Sequence, residues 1–369
     1  MKKIGISVIF WIGYILIIIP EMFNNITVVK SFGDFFTVGG LLCISIYILL
    51  KGKFSSGINT FTFFVFMIFS IYLYFRLDDF TVLKYLTLLF ALQDIKFEDF
   101  IKKENKIKKV LFLLVFTCSI LGLTNVNSFI REGKTRYTLG FIHPNTTAFY
   151  LFILACEYLY INRHNSKKYS YIIPLFYEII IYFVTDSRTA FYVLFIIIVL
   201  NYIVKICNKK NIKIFDNKII KIILKNSFFI FTIITIILTN IYIKGDSISF
   251  KLNNLTSGRL KLFSYFFENY NINLFGNVLN EYYVLDSSYL RLILGFGLIT
   301  YLFYYIVFYK EIDFSLKNKD YTMVVILIGI LIYGLTENSM YKSTLNVFIL
   351  LFSNVIFKKD WGKIDEKKG

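Results

Sequence analysis

The stretch GDSISFKLNNLTSGRLKLFSYFFENYNINLFGNVLNEYYVLDSSYLRLIL, Gly245 to Leu294, is the longest polar interruption between apolar runs on one side of this chain. Ser257-Gly258-Arg259 stands near its start and Asp286-Ser287-Ser288-Tyr289-Leu290-Arg291 near its end. Most of the chain before and after it reads as apolar helix. Its assignment therefore separates scaffold from working surface.

Working outward, the chain of 369 residues is 57% apolar with a mean hydropathy of +0.63. Apolar runs of 15 or more residues recur along it. A soluble core of this size needs no such runs, whereas a bilayer core of roughly 30 Å needs ~20 apolar residues per crossing. The expectation is an all-α polytopic integral membrane protein, one transmembrane domain over 1–369 with the long outer loop 244–287 inside it. The runs place twelve crossings at about 4–20, 35–50, 61–75, 80–92, 110–123, 146–161, 170–185, 189–206, 227–243, 288–308, 321–335 and 343–357. The first, behind Met1-Lys2-Lys3, has no small-x-small cleavage site before Pro20 and reads as a retained helix.

The formal charge of +17 would point to nucleic acid in a soluble protein. Sorted by side it does not. With the N-terminus inside, the cytoplasmic segments hold 28 Lys or Arg against 11 Asp or Glu, and the outer segments 12 against 11. The positive excess is cytoplasmic, as membrane insertion requires, and both termini fall inside. The richest inner loops, Gln93–Lys109 and Lys205–Asn226, read as topology signals that also touch anionic membrane lipids. Cys43, Cys118, Cys156 and Cys207 have neither disulfide nor zinc-site spacing and read as packing residues.

Several polar residues stand out along the chain. Lys84 lies about a turn inside the fourth crossing and is expected to snorkel to the outer surface. Glu178, near mid-membrane, is expected in a structural pair, with a place in the lining of a polar cavity as the alternative. His143-Pro144-Asn145 opens the sixth crossing, with Asn145 as the expected N-cap. Phe263, Phe266, Phe267, Tyr270 and Phe275 space as an amphipathic helix over Leu260–Phe275 on the bilayer surface, ended by Gly276. Asp286 or Ser287 caps the tenth crossing, and Arg291 lies one turn inside it. Gly295, four residues on, opens either a close packing contact or a groove for a lipid tail; the groove predicts that Gly295→Leu harms lipid use more than folding.

Arginine is distributed against lysine. Of seven arginines, Arg76, Arg131, Arg136, Arg188, Arg259 and Arg291 lie outside, whereas 27 of 34 lysines lie inside. Guanidinium binds phosphate in two-pronged fashion and keeps its charge when partly desolvated, so an outer arginine cluster suits a lipid-linked phosphate or diphosphate. No Gly-rich phosphate loop, Asp-x-Asp, HExxH or GxSxG is present. His143 and His164 are the only histidines, which argues against a histidine-based metal site.

The ordered set Arg136-Tyr137, Gly140-Phe141, His143-Pro144-Asn145, Ser187-Arg188, Ser257-Gly258-Arg259, Gly276, Asp286-Ser287-Ser288-Tyr289 with Arg291 and Gly297, and Glu337 resembles the O-antigen polymerase and ligase family. The likeness covers roughly 110–357. It implies an all-helical membrane glycosyltransferase without cofactor, metal or nucleotide sugar, and with its active face outside the cytoplasmic membrane. Such a Wzy-type polymerase moves a glycan from undecaprenyl diphosphate to a hydroxyl of the next lipid-linked repeat unit, building capsule, exopolysaccharide or O-antigen. A chain-length regulator and a flippase are the partners implied. Under that resemblance Arg188, Arg259 and Arg291 would steady the departing diphosphate, and Arg136 and Asn145 would hold diphosphate or glycan. His143, Asp286 and Glu337 are the candidate bases. A ligase of the same family, delivering finished glycan to another acceptor, is an alternative, as is a transporter of lipid-linked sugars.

Overall fold

The computed structural model describes residues 2–51, 57–165, 168–210, 212, 214–279 and 282–357. The segments 52–56 and 358–369, which the charge count assigns to the inner side, lie outside them. Long helices run over Lys2–Met22, Gly33–Lys51, Gly57–Leu77, Phe97–Ile120, Pro144–Ile161, Arg188–Lys209, Ser227–Ile243 and Leu298–Lys317. Shorter ones cover Thr81–Ala91, Ile172–Ile180, Lys218–Lys225, Arg259–Asn269 and Tyr321–Tyr333. The one sheet among the described residues is a hairpin of β1 (Ser128–Arg131) and β2 (Lys134–Tyr137), with Ser128 opposite Tyr137 and Arg131 opposite Lys134. Glu132 and Gly133 both take positive φ at its tip, as a tight two-residue hairpin turn needs.

The fold is predominantly helical, and its apolar helices suit a membrane. Gly5–Met22, Gly33–Lys51 and Arg188–Lys209 are each long and apolar enough to cross one. Lys218–Lys225 and Ser227–Ile243 together form a further candidate, bent by 61°. Phe64–Leu77, Ile172–Thr185, Tyr321–Tyr333 and Val347–Ile356 are apolar but shorter. Several of the twelve apolar runs are thus broken rather than continuous helices. The run 170–185 passes into a π turn at Ile181–Thr185, and the run 288–308 does so at Arg291–Phe296 before Gly297 interrupts it. Such widened turns change the direction of a helix and recur beside functional sites. Large apolar side chains stay exposed on outward faces, among them Leu49, Phe75, Phe183 and Ile219.

Several sequence expectations are corrected here. The segment 93–109 is mostly helix, because Phe97–Ile120 begins well before the apolar run. Its Glu104 and Lys108 are fully buried with Glu157 of Pro144–Ile161. Lys108 Nζ lies 2.6 Å from Glu104 Oε1 and 3.2 Å from Glu157 Oε1, and donates to the Leu345 carbonyl at 3.3 Å. Asn105 and Tyr14 donate to the two carboxylates at 2.7 and 3.1 Å. Lys84 does not snorkel. It is buried and paired with Glu21 at 2.9 Å, which replaces its lost hydration. Glu178 has no ion pair among the described residues, and its Oε1 is buried without a partner.

The expected surface helix over Leu260–Phe275 ends at Asn269, and its Phe263 and Phe266 are buried in the protein. Residues 270–279 instead fold back as extended chain. The Asn277 amide donates to the Leu294 carbonyl at 3.0 Å, and the Leu298 amide to that of Asn273 at 2.9 Å. A Cβ on Gly276 would stand 2.0 Å from the Gly295 carbonyl oxygen, so only glycine permits this contact. The space beside Gly295 is filled by Arg291 and Leu279 side chains, both within 3.3 Å of a Cβ placed there. Close packing, not a lipid groove, is its use.

Candidate functional site

Cross-loop contacts sort into two groups. Glu98, Arg163 and Asp320 meet through pairs of 2.7 and 3.2 Å, and all three belong to segments assigned to the inner side. Segments assigned by the charge count to the outer side meet one another at the other group, around a cavity of about 690 Å³. Its lining comes from Glu21 and Asn24, Asp79 to Lys84, Ile142 to Phe149, Val284 and Asp286, and Tyr333 to Leu345.

Local structure gathers a set of polar side chains at and behind the wall of this cavity. Asn25 is buried and holds the approach to His143. Its Nδ2 donates to the carbonyls of Val126, Gly140 and Phe141 at 2.6, 3.2 and 3.0 Å. Gly140 has a φ of +95°, and a Cβ there would stand 2.5 Å from the Val115 carbonyl oxygen. The chain then enters the Pro144–Ile161 helix with His143, not Asn145, as the N-cap. Its Nδ1 accepts from the Asn145 amide at 3.1 Å. The cap sits two residues earlier than expected because Pro144 takes the first helical position, where its missing N–H costs nothing. Asn145 is thereby freed to bridge: its Oδ1 accepts from Arg136 Nη2 at 2.6 Å and its Nδ2 donates to Glu337 Oε1 at 3.1 Å.

Ser257 and Gly258 both take positive φ, which turns the chain sharply so that Arg259 opens the next helix. Arg259 Nε lies 3.3 Å from Asp286 Oδ2, and its Nη2 donates to Glu337 Oε1. Ser288 locks the two acidic segments together. Its amide donates to the Gly334 carbonyl at 2.9 Å and its hydroxyl to the Glu337 carbonyl at 2.5 Å. Ser287, as expected, caps the following turn, accepting from the Leu290 amide at 3.4 Å. The result is one continuous array, Arg136–Asn145–Glu337–Arg259–Asp286, with His143 beside it.

Electrostatics distinguish the candidate bases. Burial, reinforced by Asp286, pushes the Glu337 carboxyl up to about 7, although Arg259 and Arg136 pull the other way. Burial also raises Asp286, against the pull of Arg259. His143 is pushed down to about 4 by burial and then by Arg136, Arg259 and Arg131. Near neutral pH its imidazole is uncharged, and its Nδ1 is occupied by the helix cap. Glu337 Oε2, by contrast, takes no hydrogen bond among the described residues and belongs to a side chain that lines the cavity.

Two of the other predicted arginines stand apart from this array. Arg188 does not line the cavity. It is half-exposed and pairs with Glu132 of the hairpin at 2.9 Å. Arg291 folds over Gly295 beside Tyr341. The outer arginines share a structural use that sequence reading missed: Arg76 donates to the Gly276 carbonyl, Arg131 to Asp186 and Arg136 to the Thr185 carbonyl. Long-range partners give the asymmetry a cause besides phosphate. Because an exposed pair contributes at most about 1 kcal/mol, Arg188→Ala is expected to melt within a few degrees of wild type. Thermal unfolding in detergent checks this, and a drop of about ten degrees or more would make the Arg188–Glu132 pair a structural anchor.

Sequence reading also missed Lys342, Lys84, Glu21 and Asp79 as cavity residues. Glu21 meets Lys84 and Thr344 only across 63 and 323 residues, distances that spacing along the chain does not reveal. Among the described residues no group of three or more His, Cys, Asp or Glu side chains is placed to hold a metal ion. Comparison with protein-family models, with curated proteins and with solved structures finds no match to this chain.

Proposed function

We propose that this protein is a polysaccharide polymerase of the membrane glycosyltransferase type, with twelve crossings, both termini cytoplasmic and the cavity open to the outside. The reading rests on one observation: loops assigned to the outer side converge on a cavity in which Glu337 lies between Arg259, Asn145 and Asp286. A volume of about 690 Å³ lies in the range of pre-formed ligand sites. The donor is a glycan on a polyprenyl diphosphate such as undecaprenyl diphosphate, and the acceptor is a sugar hydroxyl of the next lipid-linked unit. The bond from the anomeric carbon to the diphosphate oxygen breaks, and its electron pair leaves with the diphosphate. The acceptor oxygen forms the new bond to that carbon. Its proton passes to Glu337 Oε2, whose position and raised affinity for a proton suit a general base. Arg259 and Asn145 hold the carboxylate in place.

The direct test incubates purified protein with its lipid-linked repeat unit, with and without chelator, and sizes the glycan. Lengthening that survives the chelator is expected. Transport of the lipid-linked unit across liposomes with no lengthening would replace this reading by a transporter, and attachment of long chains to another acceptor by a ligase. Arg259→Ala makes a further prediction. It removes the cation that holds the Glu337 proton affinity down, so the pH at which lengthening is half-maximal moves upward. A pH–rate profile unchanged from wild type removes Arg259 from the acid–base centre.

A further inference from the structure

The cavity contains a second polar cluster that shares no side-chain hydrogen bond or ion pair with the Glu337 array among the described residues. It is formed by Glu21, Asp79, Lys84 and Lys342. Two carboxylates and two ammonium groups are present, but they are not evenly paired. Glu21 is already held by Lys84 at 2.9 Å and accepts a hydrogen bond from Thr344. Asp79 Oδ1 accepts from the Thr81 amide at 2.8 Å. Lys342 lines the cavity with no salt bridge or side-chain hydrogen bond among the described residues. It stands within electrostatic reach of Glu21, Asp79, Arg291 and Lys84, so two like charges oppose two opposite ones. A half-buried ammonium with no salt bridge or hydrogen bond of its own is costly, and an anion entering the cavity would lower that cost.

We infer that Lys342 is the contact for an anionic phosphate or diphosphate group that enters the cavity from a ligand. This deepens the proposed function and rests on it: acid–base chemistry belongs to the Glu337 array, and the charged end of the donor belongs to Lys342. Arginines already committed to carboxylates and carbonyls are poorer candidates, since binding phosphate would require breaking those pairs. Burial pushes the Lys342 ammonium down from its usual range, a change that a bound anion reverses.

The test measures binding of two probes to the detergent-purified full chain, inorganic pyrophosphate and undecaprenyl diphosphate. Loss of one charge-assisted contact corresponds to about 10- to 100-fold weaker binding. Lys342→Gln is expected to show that loss for whichever probe binds, and Lys342→Arg to stay near wild type. Tighter binding of the lipid than of pyrophosphate assigns the phosphate to a lipid headgroup; equal binding assigns it to free diphosphate. Lys342→Gln binding as tightly as wild type overturns the assignment and leaves the proposed function standing. Failure of wild type to bind either probe overturns both. Should Lys342→Gln fold poorly, the same point is read in wild-type protein: the bound probe slows amine labelling of Lys342 but not of Lys30. Equal labelling with and without probe overturns the inference.

Discussion

Glu337→Gln is expected, on the proposed polymerase function, to lower glycan lengthening by about 10²- to 10⁴-fold, the usual worth of a positioned general base. The substitution preserves shape and one hydrogen-bonding oxygen, and leaves Arg259 its second partner, Asp286. The protein is therefore expected to remain folded and in the membrane. The pH dependence supplies an independent check. Glu337 is protonated below about 7 and cannot accept the acceptor's proton there, so kcat/KM rises with pH and levels above about 7. A base at His143 would place that rise near 4 instead. A Glu337→Gln enzyme with wild-type rate, or a rise centred near 4, would sink the assignment of Glu337.

Lys108→Met is expected to be the most damaging change away from the cavity. Lys108, Glu104 and Glu157 have side-chain exposures of 0%, so removing the ammonium leaves two carboxyl groups facing each other in the protein interior. Breaking a buried pair from one side costs about 3–5 kcal/mol, a large part of what a fold of this kind has to spare. The loss should be largely recovered by adding Glu104→Gln and Glu157→Gln, since a neutral cluster no longer needs the cation. Thermal unfolding in detergent reads both variants. If Lys108→Met melts with the wild type, the cluster does not hold these helices together. The same residue donates to the Leu345 carbonyl, which ties the cluster to the segment carrying Glu337 and Lys342.

The site was legible in part. Arg259 and Arg136 are singled out by residue type and expected outer position, and Asp286, Glu337 and Asn145 as site residues by the family resemblance; the fold brings all five into one array. Ser287 as a cap was legible because capping is local and depends on a few neighbouring residues. Arg188 and Arg291 have the same type and side, yet their nearest partners turn them elsewhere. Lys342 was passed over because in sequence it is one lysine in a short turn. Only its neighbours' commitments make it stand out: Glu21 to Lys84, and Asp79 to Thr81.

Composition and charge pattern alone determined that the chain is helical, that its helices are apolar, and on which side each polar segment is expected. These follow from local quantities, namely run length and the count of lysines and arginines between runs. Which carboxylate meets which cation was decided only by tertiary structure. Arg259 and Glu337 are 78 residues apart, Asn145 and Glu337 192, and Glu21 and Lys84 63. The physical reason is that burial makes an unpartnered charge costly, so the packed fold settles pairings that spacing along the chain leaves open.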